Sequence, residues 1–378
     1  MTRGTAKFDA SILRQLRTSK EVGGRLLSAA DLAALLKTSK ARVLAYEQEK
    51  SVPEPGRVRE MANIFQVPAR ELYQARPAGH VDQIRDLRCY AGLTSAEFAQ
   101  LIGLSRTTYR DIENRAVLPT HDDGTLPLKM ATALRLPLGM IRRALDHHPA
   151  AVRRRAIVTA HLVEVFQLAK VTHRPALIDP DEELLIRIAE QLRRPASVVC
   201  RLVNHDLGRY RDLLRRHEIA QVNVAYAQGS REARVRTKEL EELRANIDRH
   251  PGAVAAAQLR FLAEAMSAQQ WRMMVDLLQR SGRTYDFGTT LNDPNVGHAW
   301  NGLLVRGFVA VERDPNSVLA LTVTHYGLGL CRTQRPYYAC LYPRITAPYA
   351  VLRQSFSRSA RLARRSPGDP PLNAPPPP

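Results

Sequence analysis

Apolar residues recur at intervals of three and four in two stretches of the chain that lie 66 positions apart. They form the trios Leu32, Leu35, Leu36 and Phe98, Leu101, Ile102. This spacing places apolar side chains on one face of an α-helix. In each stretch a short break follows, and then a serine, Ser39 or Ser105, whose hydroxyl can cap a new helix. Each stretch therefore predicts two helices joined by a tight turn.

The two stretches belong to an internal repeat. Residues 27–53 align with 93–119 without a gap, and seven of the 27 positions are identical. The second predicted helix of each copy has buried positions three apart, Val43 with Tyr46 and Tyr109 with Ile112. Further matches at an offset of 69 extend the copies to about 8–75 and 80–146. Two copies are too few for a solenoid, so the repeat predicts two tandem domains.

The rest of the chain is largely helical in pattern. Residues 149–250 contain strongly charged amphipathic segments, and Pro251-Gly252 predicts the end of the last of them. Residues 253–281 predict two more helices. The tail from Arg353 is rich in Arg, Ser and Pro, a composition that predicts disorder.

The chain is strongly basic, with 56 Lys and Arg against 37 Asp and Glu, a net charge of +19 and a pI of about 10.3. Such an excess favours a polyanionic partner, above all nucleic acid. Most of the basic residues are arginine, a bias that a GC-rich genome also produces, so charge alone does not decide. No apolar run approaches the ~18 residues of a membrane span, and the N-terminus lacks a signal-peptide core. The four cysteines form no CxxC pair, which predicts reduced thiols in a cytoplasmic protein.

Both copies resemble the helix-turn-helix domain of the lambda repressor and Cro family (XRE type). The segments that carry the resemblance are LSAADLAALLKTSKARVLAYEQEKSVP and LTSAEFAQLIGLSRTTYRDIENRAVLP. The second copy keeps the family's turn glycine as Gly103, whereas the first has Lys37 there. Glycine adopts positive φ without cost, so Lys37 predicts mild strain.

The resemblance implies which side chains contact DNA. Base edges would be read by the start of the second helix of each copy, through Arg106, Thr107, Thr108 and Asp111 in copy two and Lys40, Ala41, Arg42 and Ala45 in copy one. Arg or Lys can pair with guanine, Thr can meet a thymine methyl group, and Asp can accept from cytosine. The two alanines predict a less specific readout by copy one. Gln48, Asn114 and the helix N-termini are candidate phosphate contacts.

The family also pairs an arginine of its first helix with the glutamate that ends the second helix of the motif. Arg88 and Glu113 stand in those places in copy two. Arg17 and Glu47 can pair in copy one if five extra residues within 18–25 form a longer loop. Both pairs are expected to be structural, because breaking one would leave a partly buried charge alone.

Two further segments carry weaker resemblances. Residues 303–330, LLVRGFVAVERDPNSVLALTVTHYGLGL, resemble the end of a MarR-type winged-helix domain. A helix near 294–306 would end at Gly307, and β-prone runs at 308–311 and 318–323 would form the hairpin wing. A third echo of the repeat, at an offset of 90, covers 188–204, but Pro195 replaces the capping serine. An ordinary amphipathic helix pair is the alternative there.

No catalytic or metal-binding pattern stands out in the sequence. The histidines have no HExxH-type spacing. A zinc site of His325, Cys331 and Cys340 lacks a fourth ligand, and the acidic run 179–183 fits a helix start, where acids are favoured. The glycines offer no phosphate loop. We therefore expect a non-enzyme without metal or cofactor.

The predicted protein is mostly α-helical. It has helix-turn-helix domains at 1–76 and 77–148, a helical middle region at 149–250, helices with a small winged-helix-like α+β domain at 251–350, and a basic tail at 351–378. The leading hypothesis is a sequence-specific bacterial transcriptional regulator that binds double-stranded DNA, lies at the nucleoid and can form a homodimer. The alternatives are a plasmid or phage replication, partition or transfer protein, and an interaction scaffold that does not bind DNA; either copy can also be a packing module that touches no DNA.

Overall fold

A computed structural model describes residues 6–77, 79–119, 124–168, 177–279, 294–313 and 319–345. The described chain is mostly α-helical, as the sequence predicts, and it contains one two-stranded sheet. It divides into two compact units, residues 1–122 with 126–157, and residues 123–125 with 158–378. Both copies of the repeat lie in the first unit, apart from residues 123–125. The predicted tail at 351–378 lies outside the described residues.

The first unit holds two successive sets of short helices. Copy one comprises α1 (Ala10–Ser19), α2 (Ala29–Leu35), α3 (Lys40–Glu47), α4 (Pro55–Ile64) and a 3-10 helix (Ala69–Leu72). Copy two comprises α5 (Ile84–Tyr90), α6 (Ser95–Leu101), α7 (Arg106–Arg115), α8 (Leu126–Leu134) and α9 (Leu138–Asp146). The division between the two units falls within the next helix, α10 (Pro149–Leu168).

The turns between α2 and α3 and between α6 and α7 have the same hydrogen bonds. Thr38 N donates to Ala33 O at 2.9 Å, and Leu104 N donates to Ala99 O at 2.9 Å. The residue before each donor has positive φ, 50° at Lys37 and 72° at Gly103. Lys37 therefore adopts the backbone conformation that glycine occupies in copy two, at the steric cost that the sequence predicts.

Side-chain caps start the helices of both pairs. Ser39 Oγ accepts from the amide of Arg42 at 3.2 Å, and Ser105 Oγ accepts from that of Thr108 at 3.1 Å. Ser28 and Thr94 form capping boxes at the starts of α2 and α6. These caps satisfy backbone donors that a helix cannot pair internally, and each typically contributes about 1 kcal/mol.

The second unit combines long and short helices with a hairpin. Beyond the remainder of α10, its elements are α11 (Glu183–Leu192), α12 (Ala196–Ala225), α13 (Ser230–Glu264), α14 (Ala268–Gln279), α15 (Pro294–Val305), β1 (Val309–Arg313), β2 (Leu319–Val323) and α16 (His325–Leu341). One core cluster joins them, and within it the Trp271 and Tyr338 rings stack with their centroids 4.1 Å apart.

The predicted helix end at Pro251-Gly252 is wrong. Helix α13 continues through Pro251 to Glu264, so the predicted boundary between 250 and 251 lies inside a helix. An interior proline removes one hydrogen bond and clashes with a carbonyl, at a cost of about 3 kcal/mol. Leu243 and Ile247 before the proline and Val254 after it are buried on α13. Burial of this continuous apolar face, at about 1.5–3 kcal/mol per large side chain, outweighs the local penalty.

The third echo of the repeat coincides with α11 and α12. Arg193, between them, has φ 53°, and Arg194 N donates to Ala189 O at 3.2 Å. Helix α8 ends in the same way at Arg135, whose φ is 55° and which likewise stands two residues before a proline. Helix α12 is 30 residues long, and its N-cap Pro195 makes no side-chain capping bond. The turn between α11 and α12 is thus a helix ending that this chain also uses elsewhere, and it does not by itself indicate a third copy of the repeat.

The predicted hairpin forms, although its tip at 314–318 lies outside the described residues. Strands β1 and β2 pair antiparallel with Val309 opposite Val323. Gly307, with φ 68°, lies in the turn between the end of α15 and the start of β1. After β2, Thr324 caps α16 by accepting from Gly327 N at 3.0 Å, and it donates to Gly307 O at 2.6 Å. One hydroxyl therefore connects the hairpin entry to the start of α16.

Gly327 lies so close to the hairpin that no side chain fits. A Cβ at this position would stand 2.1 Å from Phe308 O. We expect Gly327→Ala to lower the free energy of unfolding of the second unit by about 1–3 kcal/mol, because overpacking displaces backbone. Urea unfolding followed by tryptophan fluorescence reports on this unit, since both tryptophans of the chain, Trp271 and Trp300, are buried in it.

Gly329→Ala is the matched control. It lies in the same helix, and nothing stands within 4 Å of a Cβ there. Alanine is favoured over glycine in a helix by about 0.5–1 kcal/mol, so this variant should match or exceed the original stability. Equal unfolding midpoints for the two variants would contradict the proposed close approach.

Candidate nucleic-acid interface

Helix α7 has one buried and one exposed face. Tyr109 and Ile112 are fully buried, and Tyr109 meets Phe98 edge-to-face with the ring centroids 5.2 Å apart. The opposite side of the helix faces solvent. Four of the predicted copy-two contacts are exposed there: Arg106, Thr107, Asp111 and Asn114. The structure therefore brings these side chains onto one accessible helix surface.

Thr108 has a different position from the other predicted contacts on α7. It is half-buried, and its hydroxyl lies 2.9 Å from Ser105 Oγ. Its amide donates to the same serine oxygen at 3.1 Å. Thr108 thus takes part in the cap of α7, a role that the resemblance alone does not assign.

Helix α3 exposes a smaller set of polar groups. Val43 and Tyr46 are buried, as predicted, and Ala45 is half-buried. The exposed predicted contacts of copy one are Lys40, Ala41, Arg42 and Gln48. Arg42 Nε donates to the Tyr46 hydroxyl at 3.1 Å, and its guanidinium carbon lies 5.5 Å from the centroid of that ring. One of the two cations near the start of α3 is therefore held by a local aromatic contact.

Two exposed arginines of α7 were absent from the predicted set. Arg110 stands four residues after Arg106 and four before Asn114, which places all three along one side of the helix. Arg115 is also exposed, and its Nη1 lies 3.9 Å from Asp111 Oδ1. Helical spacing from Arg106 is sufficient to find Arg110 in the sequence. The outer surface of α7 is consequently more basic than the predicted set indicates.

A buried arginine ties α7 to α5. Arg88 Nη2 donates to Glu113 Oε1 at 2.7 Å, and the two side chains are only 7% and 8% exposed. The same guanidinium donates through Nη1 to Leu93 O at 2.6 Å and through Nε to the Tyr109 hydroxyl at 3.2 Å. Burial lowers the pKa of Arg88, but the neighbouring Tyr109 and Glu113 outweigh this effect, so the pKa lies above its ordinary value.

The matching pair forms in copy one. Arg17 Nε donates to Glu47 Oε1 at 2.6 Å and Nη2 donates to Oε2 at 3.0 Å, a bidentate pair. The hydrogen bond to Glu47 raises the pKa of Arg17. Nη1 donates to Leu27 O, the position that aligns with Leu93 in the repeat. The extra residues before α2 make a tight turn, in which Val22 N donates to Arg25 O at 2.9 Å.

Two side chains that follow copy two hold the C-terminal end of α7. Arg154 Nη2 donates to the carbonyls of Arg115 and Ala116, each at 3.0 Å. His148 Nδ1 accepts from Ala150 N at 3.1 Å, and the ring also hydrogen-bonds to the backbone of Glu113. These contacts satisfy carbonyls that the helix leaves unpaired at its end. Helix α7 is therefore fixed by a side-chain cap at its start and by two basic side chains at its end.

Among the described residues, one cluster has metal-ligand types close together. It consists of His80, Asp82 and Asp86, with their ligand atoms within 4.8 Å of one another. Asp86 is fully buried, and its carboxylate accepts from Arg76 Nη2 at 2.9 Å and from Gln83 N at 3.0 Å. The Tyr90 hydroxyl donates to Asp82 at 3.2 Å. An arginine thus already supplies the positive charge that these carboxylates face.

Compared with models of known protein families, with curated proteins and with solved structures, the chain matches none. Within the described part of the chain, every helix is too short or too polar to cross a membrane.

Removal of Glu113 should destabilise the first unit strongly. In Glu113→Ala the 7%-exposed Arg88 keeps its charge without its carboxylate partner, and such a loss costs about 3–5 kcal/mol. Glu60→Ala is the control, because Glu60 pairs with Arg57 at the surface and is 53% exposed, where an ion pair contributes about 0–1 kcal/mol. Urea unfolding followed by circular dichroism measures both, with tryptophan fluorescence marking the other unit's transition. Similar losses in the two variants would contradict the buried role of the Arg88–Glu113 pair.

His148 should make the stability of the first unit depend on pH. Burial, and to a smaller extent Arg154, lowers the pKa of His148 below its ordinary value of about 6.5, against the raising effect of the Glu113 backbone bond. The folded state thus prefers the neutral ring, so this stability is complete above about pH 6.5 and is lost as the pH falls below it.

The measurement is the unfolding midpoint between pH 7.5 and 5, followed by circular dichroism. His148→Asn keeps an acceptor for Ala150 N without titrating. As the pH is lowered from 7.5 to 5, its unfolding midpoint should drop less than that of the original protein. His147→Asn, a change at the exposed neighbour, should leave the original dependence in place. A His148→Asn profile parallel to the original would show that this ring does not carry the effect.

Proposed function

We propose that the chain is a sequence-specific DNA-binding protein, a transcriptional regulator that reads double-stranded DNA with α3 and α7. In this proposal each copy of the repeat is a repressor-like helix-turn-helix domain. Both helices would lie in major grooves of one duplex, since a groove of about 12 Å accommodates one helix.

The observation that carries the proposal is the repeated construction of an exposed, capped helix. In both copies a serine caps the helix, and a largely buried arginine bonds to the glutamate near the end of the helix. Basic side chains stand exposed on the outer face, Lys40 and Arg42 in α3 and Arg106 and Arg110 in α7. Packing alone does not require polar, cationic outer faces at the same place twice. The net charge of +19 adds a general attraction to phosphate.

The two helices are expected to contribute differently. Helix α7 offers Arg106 for guanine, Thr107 for a thymine methyl group and Asp111 for cytosine, with Asn114 as a phosphate contact. The exposed Arg110 joins this set. Helix α3 offers Lys40 and the aromatic-held Arg42, with Ala41 between them. Copy two would therefore supply most of the sequence preference and copy one a weaker readout.

The second unit supports an additional winged-helix proposal. Helix α15 and the β1–β2 hairpin follow one another in the order that the MarR-type resemblance implies. Gly327 and Thr324, both part of the resembling segment, hold the hairpin against α16. We propose that this unit dimerises or adds a further contact to DNA.

Selection of bound duplexes from a random pool by the full-length protein tests the function. The original protein should enrich one motif, and Arg106→Ala should relax the preference at one position of it, because a bidentate guanine contact is worth about 1–3 kcal/mol of discrimination. Binding without enrichment that collapses as salt rises would mean that net charge alone binds DNA, and the specific function would be wrong.

A combined change of Arg358, Arg361 and Arg364 to Ala is the matched control for charge. These residues belong to the basic tail of the sequence. Their loss should weaken binding to all duplexes alike and reduce its salt dependence. An Arg106→Ala protein that also weakens every duplex equally would exclude base reading by Arg106.

A further inference from the structure

The two copies of the repeat share a packed interface within the first unit. Cys89 of α5, in copy two, is buried in the apolar cluster of copy one. The ring of Tyr90 meets that of Tyr73 edge-on, with centroids 5.5 Å apart, and the Arg70 guanidinium lies 5.2 Å from the Tyr90 ring centroid. Copy two is thus packed on copy one and not merely linked to it.

Gly92 marks the tightest point of this interface. It follows α5, has φ 66° and is buried. A Cβ on it would stand 2.5 Å from Arg59 Cβ and 3.3 Å from Arg59 Cα, on α4 of copy one. The backbone of copy two therefore touches α4 at a position where only glycine fits.

An ion pair joins the copies beside Gly92. Arg59 Nη2 donates to Glu97 Oε1 at 2.7 Å. Glu97 also completes the capping box of α6, where its other oxygen accepts from Thr94 N at 2.7 Å. The bond to Arg59, followed by those to Thr94, lowers the pKa of Glu97 to about 2. Glu97 therefore takes part both in the cap of α6, the helix before α7, and in the ion pair with copy one.

We propose that this interface fixes the spacing of the DNA half-sites, so that the two copies act as one rigid reader; the inference rests on the proposed DNA-binding function. Gly92 and the Arg59–Glu97 pair are the spacing determinants. A tether alone would let the second copy search over a range of positions. A packed interface instead holds α3 and α7 at one separation and one relative rotation.

The geometry of B-DNA makes the difference measurable. Each added base pair moves the second half-site by about 3.4 Å along the axis and turns it by about 35° around it. Tethered domains can follow such a shift, whereas a rigid pair loses the contacts of one copy. We expect one spacer length to bind best and a change of one base pair to weaken binding by about tenfold or more.

The experiment measures affinities of the full-length protein for the selected duplex with spacers lengthened or shortened by one and two base pairs. In Arg59→Ala the penalty for one base pair should shrink to about threefold or less. Arg57→Ala is the charge-matched control, because Arg57 lies on the same helix and, among the described residues, bonds within copy one, to Leu36 O and Glu60. It should keep the original penalty. Equal affinities of the original protein for all spacers, or an unchanged penalty in Arg59→Ala, would overturn the proposal while the DNA-binding function stands.

A measurement without DNA keeps the two proposals apart. Spin labels at Ala41→Cys and Thr107→Cys, both exposed, should give a narrow distance distribution in the original interface. The distribution should broaden in Arg59→Ala and stay narrow in Arg57→Ala. A broad distance distribution in the labelled protein that keeps Arg59 would show that the two copies are not held rigidly, whatever the binding measurements on DNA give. Absence of any preferred duplex sequence would instead refute the proposed function.

Discussion

A largely buried guanidinium requires a carboxylate and carbonyl partners, and this requirement organises both copies of the repeat. Arg88 bonds to Glu113 at the end of α7, to the carbonyl of Leu93 before α6, and to Tyr109 in the core. Arg17 does the same in copy one with Glu47 and Leu27. A single side chain thus fixes the first helix, the start of the helix pair and the exposed helix together. An exposed helix that is held in this way can present its outer face with little loss of order on binding.

The other constraints build on these pairs. Serine caps set where α3 and α7 begin, and Arg154 with His148 holds the end of α7. The outer faces of α3 and α7 are therefore not needed for packing within each copy and can be polar. The helix that carries Arg88, α5, also places Cys89 in the core of copy one. The same short helix therefore orients the exposed helix of its own copy and joins the two copies.

Local chemistry made much of the first unit predictable. Serine caps and apolar spacing are encoded within a few turns of helix, and the repeat doubles each of them. The arginine–glutamate pairs join residues 25 and 30 positions apart, and their prediction came from the family resemblance. Arg110 could have been found by the same helical spacing. The interface at Gly92 could not be predicted, because the contact of this glycine with Arg59, 33 residues earlier in the chain, leaves no periodic pattern.

The longer elements show where sequence patterns are insufficient. Pro251 reads as a helix end, yet tertiary burial keeps α13 continuous to Glu264. Helix α16 likewise continues past Pro336, and the sequence pattern did not predict it as an element. The hairpin was predictable from its β-prone runs, but the need for glycine at 327 arises from the approach of Phe308 O.

Photo-cross-linking from the two exposed helices to one duplex tests DNA reading by α3 and α7 without depending on affinity. Benzoylphenylalanine would replace Ala41 or Thr107, with the exposed Asn63 of α4 as the comparison position. If α3 and α7 both read the duplex, both positions cross-link to it at two separate sites, and both cross-links are lost together in high salt. Cross-links from Asn63 but from neither α3 nor α7, at equal DNA occupancy, would contradict this prediction.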